Sequence, residues 1–222
     1  MNAKAADGHG PGRARRSREE AREEILVAAE RFLWERPVRD LSVGELMECT
    51  TIGRSAFYVY FQDRYDLVAA LLERLETQLL DSAQPWLAGP GASDPLVDIR
   101  LALEGTVAVW AKHGPVLRAI ADAASQDHRV EAAYRWGHIE HFIVAVAARI
   151  KAGQSAGRVT RAVDAAQVAA ALILMNERYL ADGMGRLPQS PTDEVVETLY
   201  AIWSAVLYGP SATADRRSRS VR

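Results

Sequence analysis

Apolar residues recur along most of this chain at the spacing of a helix, with polar residues between them. Near the N-terminus these positions, three or four residues apart, are Ile25, Ala28, Ala29, Phe32 and Leu33. The pattern predicts an amphipathic helix with one buried face, and we expect Pro37 to end it. No segment combines the alternation of apolar and polar residues that is typical of a strand with turn residues at its ends.

Further helices are predicted in the first half of the chain. Ser42 and Glu45 have the spacing of a capping box, so a short helix is expected to begin there. After an interruption, the segment RSAFYVYF (54–61) continues in helical register. The next helix is long and has an apolar stripe that contains Leu67, Val68, Leu71, Leu72, Leu75 and Leu79.

The second half of the chain begins after a loop rich in Pro, Gly and Ser, which we place over 85–95. We expect His113-Gly114-Pro115 to end the first helix after this loop, Gly153 to end the third, and Ser190 to cap the last. The predicted helices cover residues 95–112, about 115–125, 128–152, 163–182 and 191–208. Periodicity therefore predicts an all-α protein of about nine helices.

Composition narrows the class of protein. The chain has 222 residues, is 49% hydrophobic and has a net charge of −2, so it is no general binder of polyanions. The single cysteine, Cys49, allows neither an intrachain disulfide nor a cysteine-based zinc site, which fits a reducing compartment. The sequence shows no membrane-spanning run of apolar residues and no secretory signal, so a cytoplasmic protein without a membrane partner is expected.

The segment 54–61 is unusually aromatic, because half of its residues are Phe or Tyr whereas the whole chain is only 7% aromatic. Phe57 and Phe61 share a helix face and are expected to pack inward, while Tyr58 points mostly away. Two short helices joined by a tight turn form a helix-turn-helix, whose second helix reads the major groove of DNA. Exposed hydroxyl and guanidinium groups can bind phosphates or base edges. Alternatively, the rings only fill a core, or residues 40–61 contact another protein as part of a helical scaffold.

The N-terminal arm, residues 1–17, is rich in Gly, Ala and Arg and shows no apolar period, so we expect it to be disordered. Arg13, Arg15 and Arg16 make it basic. Flexible arginine-rich arms can enter the minor groove beside a helix-turn-helix. The other interpretation is a tail that only aids solubility.

The residues from Glu24 to about Leu75 resemble the DNA-binding domain of TetR-type transcriptional repressors. The most specific part of the resemblance is the motif FYxYFxxRxDL, from Phe57 to Leu67. In addition, the segments ALILMNERYL and AIWSAVLYG resemble the EthR-like branch of this family. The resemblance implies a homodimer that pairs helices 163–182 and 191–208 with their counterparts, and a recognition helix over about 54–60.

Together, the helix-turn-helix reading and the resemblance define a predicted set of DNA-contacting residues. Its members are Arg13, Arg15, Arg16, Ser42, Thr51, Gly53, Arg54, Ser55, Tyr58, Tyr60 and Arg64. Two of them depart from the family pattern, which usually has Gly where Thr51 stands and Ser or Thr where Gly53 stands. Because a β-branched residue is strained at positive φ, either the turn is shifted, with Thr50 or Thr51 capping, or its geometry is altered.

The C-terminal half concentrates aromatic residues and contains a polar pair, Asn176-Glu177, in a mostly apolar helix. An aromatic and aliphatic cavity with a few polar groups is typical of a site for a small apolar ligand. By resemblance, Asn176 and Trp203 line such a cavity, and Trp110 and Phe142 are aromatic lining positions. The predicted ligand-binding set is Trp110, Phe142, Asn176, Glu177 and Trp203. Alternatively, these residues only fill the core, and Glu177 pairs with Arg178 or Arg118.

A catalytic function is not indicated. His138 and His141 are three residues apart, whereas the zinc-protease pattern requires a spacing of four. We therefore interpret both as surface residues, and we expect no metal and no cofactor. Phosphate-binding glycine loops and nucleophile elbows are also absent from the sequence.

These observations predict a transcriptional regulator that binds double-stranded DNA, most simply a dimeric repressor of a palindromic operator controlled by a small apolar molecule. A helical protein-interaction scaffold without DNA binding is the alternative. The predicted division is a disordered arm (1–17), a helix-turn-helix domain (18–64), a ligand-binding and dimerisation domain (65–209) and a disordered tail (210–222).

Overall fold

The computed structural model describes residues 18–89, 94–162 and 164–209, and within these ranges it is helical without strands, which confirms the all-α class. The arm with Arg13, Arg15 and Arg16, the predicted C-terminal tail and Val163 lie outside the described residues. Across the described ranges there are nine α-helices: α1 Arg18–Glu35, α2 Val43–Glu48, α3 Phe57–Tyr60, α4 Arg64–Leu87, α5 Pro95–Ala124, α6 His128–Ala132, α7 Glu140–Ser155, α8 Ala165–Gly183 and α9 Thr192–Tyr208. None of the helices in these ranges is long and apolar enough to cross a membrane.

Helix α1 buries the face that its spacing predicts, and this face packs against α2, α4 and α5. Ile25, Ala29 and Leu33 are almost completely buried. Leu26, which the predicted stripe omits, is also buried, whereas Phe32 is only half-buried beneath the guanidinium of Arg36.

Helix α4 begins at a strong cap and runs farther than the sequence suggests. The carboxylate of Asp63 accepts hydrogen bonds from the backbone N–H groups of Tyr65 (2.8 Å) and Asp66 (3.1 Å). All six residues of the predicted stripe are buried. The predicted loop start at Pro85 is wrong, because α4 continues to Leu87 and buries Trp86 in the core. Pro85 lies on the exposed side of the last turn, where water can satisfy the carbonyl that proline leaves without a partner.

Helix α5 lies at the centre of the fold and contacts α1, α4, α6, α8 and α9. The predicted break at His113-Gly114-Pro115 is wrong, since one continuous helix spans this segment and buries all three residues. A Cβ at position 114 would lie 2.2 Å from the carbonyl oxygen of Met184. Gly114 is therefore required by the close approach of the segment after α8 and does not mark a helix end.

The chain is helical throughout the predicted range 128–152 and on to Ser155, but the helix contains a π-helical segment. Helix α6 gives way to a wider π-helical turn over Ala133–Ile139, and α7 then continues to Ser155. Gly153 does not end this helix; it is buried, and Val159 packs where a Cβ would otherwise stand. A turn of π-helix contains more residues than a turn of α-helix, so it changes which of the following side chains face inward.

The last two helices match the predicted ranges to within two residues. Asp164 caps α8 by accepting hydrogen bonds from the N–H groups of Ala166 and Gln167. The predicted cap of α9 is wrong by one residue, because Pro191 occupies the cap position. Ser190 instead donates its backbone N–H to the carbonyl of Gly183 and so fixes the connection between α8 and α9.

Candidate functional site

The helix-turn-helix is anchored by two phenylalanine rings. Phe57 is fully buried and Phe61 is 3% exposed, and their ring centroids lie 5.6 Å apart, as their helical spacing predicts. The helix itself is shorter than predicted: residues 54–56 form a 3-10 turn, α3 has one turn, and Phe61 is already extended. The cap of α4 at Asp63 explains this end, because the chain must turn before the next helix begins.

The outer side of this segment forms an exposed surface made of Arg54, Ser55, Tyr58 and Val59. Tyr58 is 60% exposed and Val59 is 57% exposed, whereas Tyr60 is half-buried. The surface offers a guanidinium and two hydroxyls that can donate to phosphates or base edges. It also offers an apolar side chain, Val59, which the sequence prediction omits and which can contact the methyl group of thymine.

The turn before α3 accommodates Thr51 without positive φ. Within the described residues, only glycines have positive φ, and Gly53 (φ −67°) is not among them. The carboxylate of Glu24 accepts hydrogen bonds from the backbone N–H and the hydroxyl of Thr51, while the hydroxyl of Thr50 donates to the carbonyl of Met47 (2.8 Å). The altered turn is thus held by α1, and Gly53 occupies the cap position of the following turn without a side-chain bond.

Ser42 and Arg64 connect the elements around this surface. The hydroxyl of Ser42 accepts a hydrogen bond from the backbone N–H of Glu45 at the start of α2. The guanidinium of Arg64 donates to the carbonyls of Arg39 (3.0 Å) and Leu41 (3.5 Å), so it holds the entry to α2 in place. A phosphate contact by Arg64 stays a prediction, because in this structure Nη1 donates to the backbone and Nη2 to the hydroxyl of Tyr65.

All five residues of the predicted ligand-binding set line one cavity. This cavity has a volume of about 60 Å³ and lies between α4, α5, α8, α9 and the segment from the π turn into α7. Most of its wall is apolar and includes Leu79, Ile99, Leu103, Val146, Ile173 and Leu180. The arrangement fits a site for an apolar molecule, although ligand binding by these residues stays a prediction.

One buried indole N–H group in the cavity wall has a hydrogen-bond partner within the protein, and another has none. The indole N–H of Trp203 donates to Oδ1 of Asn176 at 3.0 Å, and both side chains are buried. The indole N–H of Trp110 is buried without a hydrogen-bond partner. Trp86 packs edge-on against Trp203, with ring centroids 5.6 Å apart, whereas Trp136 (66% exposed) and Tyr179 (38% exposed) lie on the surface.

The sequence analysis missed one polar residue of the cavity wall. His138, interpreted from sequence as a surface residue, is 2% exposed and lines the cavity, because the π turn rotates it inward. Its Nε2 lies 3.3 Å from Glu177, whose other carboxylate oxygen accepts a hydrogen bond from the hydroxyl of Tyr134 (3.1 Å). Burial and the adjacent Glu177 carboxylate raise the pKa of Tyr134.

The alternative pairings of Glu177 with Arg118 or Arg178 are wrong. Both arginines bind Asp182 instead, at 3.3 Å and 2.9 Å respectively. His141 is the surface residue that the sequence analysis expected, and its ring contacts Glu76 (3.1 Å). No group of His, Cys, Asp or Glu side chains in the described ranges is arranged to hold a metal ion.

Two charged clusters connect the helix-turn-helix domain to α4, α5 and α6. Glu30 of α1 binds both Arg74 of α4 and the buried His113 of α5. The hydrogen bond from His113 and, with it, the charge of Arg74 lower the pKa of Glu30 against the opposing effect of burial. At the start of α4, Asp63 also pairs with Arg129 of α6 at 2.8 Å.

Comparison with known protein families gives two matches. The family of bacterial regulatory proteins described as tetR matches residues 25–71. The C-terminal domain of the transcriptional regulator EthR matches residues 99–209. These ranges include most of the segments on which the sequence resemblance rests.

Individual relatives agree with these matches. The chain is 33% identical to the HTH-type transcriptional regulator EthR of Mycobacterium tuberculosis (strain H37Rv) over 187 residues, which cover 83% of this chain and 86% of the relative. It is 28% identical to EthR of Mycolicibacterium smegmatis, over 90% of this chain and 93% of the relative. Among solved structures, reduced NemR of E. coli has the same fold, with a TM-score of 0.69 at 18% identity, over 86% of this chain and 98% of NemR.

Proposed function

Because the chain belongs to the TetR family of bacterial regulatory proteins and is thus a DNA-binding transcriptional regulator and not an enzyme, we propose that it is a dimeric repressor. In this proposal it binds a palindromic operator and releases it when a small apolar molecule fills the cavity.

The observation that carries the proposal is the continuity of α4. This helix starts at Arg64, directly after the exposed surface of residues 54–59, and its last turns contribute Leu79, Ala83, Trp86 and Leu87 to the cavity wall. Its 24 residues make it about 36 Å long. A displacement of α4 at the cavity therefore changes the position of the DNA-binding surface.

The size of the cavity indicates how a ligand can act. At about 60 Å³ it is far smaller than ordinary ligand pockets, which measure roughly 300–1,000 Å³. A ligand must therefore push the surrounding helices apart, α4 among them. It shifts the equilibrium only as far as it binds the expanded conformation more tightly than the contracted one.

In the proposed complex, the surface of residues 54–59 enters the major groove, with Ser42, Thr51, Gly53 and Tyr60 beside it. The arm with Arg13, Arg15 and Arg16 follows the adjacent minor groove. The proposed division places DNA binding in residues 18–64 and ligand binding and dimerisation in residues 65–209.

Dimerisation is proposed through α8 and α9 because both helices keep apolar side chains exposed. Leu174 is 55% exposed and Val206 is 37% exposed. Small exposed residues on the same two helices, which permit close helix approach, are Ala166, Ala171, Ala201 and Ala205. A pair of such helices from each subunit would bury these positions in a four-helix interface.

Selection of bound fragments from randomised duplex DNA tests this function. We expect the full-length protein, a dimer by light scattering, to recover a palindromic site, and its affinity to fall steeply with added salt because bound phosphates release counterions. A folded protein that enriches no site, with no copurified ligand found by mass spectrometry, would contradict the repressor and favour the protein-interaction scaffold.

A further inference from the structure

We propose that the ligand of the cavity carries a protonated amine, which binds at the polar end formed by His138 and Glu177. This inference rests on the proposed ligand control and names the chemical class of the ligand. Three features of the polar end lead to it: the free acceptor positions of Glu177, the unpartnered nitrogen of His138, and the balance of charge around them.

The carboxylate of Glu177 retains hydrogen-bonding capacity. Each of its oxygens accepts one hydrogen bond, from the Tyr134 hydroxyl at 3.1 Å and from His138 Nε2 at 3.3 Å. An ionised carboxylate has about four acceptor positions and no donor. The remaining positions can therefore be satisfied only by a group that donates hydrogen bonds.

The ring of His138 lines the same end of the cavity. The ring is 2% exposed, and its Nδ1 is buried without a partner. Because Nε2 faces a carboxylate, the neutral imidazole places its hydrogen on Nε2 and leaves the lone pair on Nδ1. An unsatisfied buried acceptor is costly, so a ligand that expands the cavity and donates to Nδ1 removes this cost.

The charge at the polar end favours a cation over a neutral donor. The nearby Arg118 and Arg178 are both bound to Asp182, and the ion pair of Glu177 within the described ranges is with His138. Among the described residues, no arginine or lysine therefore pairs with the Glu177 carboxylate. A protonated amine supplies both the charge and the donors, and charge-assisted hydrogen bonds are about twice as strong as neutral ones.

The remaining wall of the cavity determines the chemistry of the part of the ligand that is not the amine. This wall is aliphatic and aromatic apart from Thr106 and the polar groups already described, so the amine must carry an apolar chain or ring system.

Binding of three probes of equal length tests this inference: phenylbutylamine, phenylbutanol and phenylbutanoate, each titrated by calorimetry into the full-length protein. We expect the amine to bind at least about tenfold more tightly than the alcohol and the acid. Equal affinities, preference for the alcohol or the acid, or absence of binding by all three would overturn the inference.

Two variants test whether Glu177 causes the preference for the amine. Glu177→Gln keeps the shape of the side chain but removes its charge, so the amine should lose its advantage while the alcohol still binds. Glu76→Gln, which removes a carboxylate that contacts His141 outside the cavity, should keep the full preference. A preference that survives in Glu177→Gln would contradict the assignment to this residue.

The probe series is measured without DNA, and operator binding is measured separately without probes. Operator binding together with no amine preference would refute the ligand class alone. An amine preference in a protein that binds no operator would refute the repressor function and leave the ligand class standing.

Discussion

At the scale of single residues, Phe57 and Tyr58 are adjacent in sequence but have opposite roles. The ring of Phe57 is fully buried, whereas Tyr58 packs edge-on against it and is 60% exposed. The first ring stabilises the helix-turn-helix, and the second belongs to the surface proposed to contact DNA. Stability and operator binding should therefore respond differently to changes at the two positions.

Phe57→Ala should lower the free energy of unfolding by about 3–5 kcal/mol, because a large buried ring is replaced by a cavity. Tyr58→Ala should change it by less than about 0.5 kcal/mol, as is usual for exposed positions, yet weaken operator binding. Urea unfolding followed by fluorescence, together with operator titration, measures both. The separation of roles would be contradicted if Tyr58→Ala lost stability and DNA affinity in parallel.

The sequence predicted several individual positions correctly and missed others for physical reasons. Phe57 and Phe61 could be placed because a four-residue spacing puts both on one helix face. His138 could not be placed, since the π turn that rotates it inward depends on packing and not on local sequence. The contact between Glu24 and Thr51 was missed because it joins residues 27 positions apart.

At the scale of elements, α5 shows how packing outweighs local preference. A Gly-Pro pair after a histidine ordinarily indicates a helix end. Here the segment after α8 lies so close to α5 that position 114 has no room for a side chain. The glycine therefore serves a contact between elements that the sequence alone does not show.

Gly114→Ala should lower the free energy of unfolding by about 1–3 kcal/mol or more, because its Cβ would overlap the backbone carbonyl of Met184 and force a shift. Gly137→Ala is the matched control, since nothing lies within 4 Å of a Cβ there. It should be neutral or stabilise by up to about 1 kcal/mol. Equal thermal denaturation midpoints for the two variants would argue against the tight approach of the two segments.

The cluster of Glu30, Arg74 and His113 joins α1, α4 and α5, and it makes the association of these helices depend on pH. The pKa of Glu30 is lowered from its ordinary value of 4.5 in the folded protein, chiefly by the hydrogen bond from His113. A lowered folded-state pKa stabilises the protein fully above 4.5. This stabilisation is lost as the pH falls through the lowered pKa, since the unfolded chain then binds more protons.

Glu30→Gln should therefore destabilise the protein at neutral pH, by about 1–3 kcal/mol, and reduce the loss of stability that occurs as the pH falls below 4.5. Glu23→Gln removes the more exposed partner of Arg74 and should cost less than about 1 kcal/mol. Urea unfolding at a series of pH values measures both effects. If the free energy of unfolding of Glu30→Gln kept the same dependence on pH, this carboxylate would not be the cause of the loss of stability in acid.

At the scale of the whole molecule, the proposed control of DNA binding depends on a connection between the cavity and the surface of residues 54–59. Helix α4 reaches from one to the other, and the Glu30 and Asp63 clusters attach it to α1 and α6. The order of the helices could be predicted because each has its own apolar period. The small volume of the cavity and the route of coupling could not, because both arise from contacts between helices that are distant in sequence.

A mutation that fills the cavity can take the place of the unidentified ligand. It therefore tests directly whether the cavity is coupled to DNA binding. Ala102 lines the cavity and is 7% exposed, so Ala102→Leu places three additional carbon atoms in it. Ala108→Leu makes the same change at an exposed position of α5 and is the control. Both variants must remain folded dimers for the comparison to hold.

The decisive measurement is the operator affinity of the two variants and the unchanged protein, by fluorescence anisotropy with the palindrome recovered from selection. We predict that Ala102→Leu weakens binding at least about fivefold, the lower end of typical allosteric couplings, and that Ala108→Leu has no effect. If Ala102→Leu no longer binds apolar probes but keeps the operator affinity of the unchanged protein, the cavity does not control DNA binding.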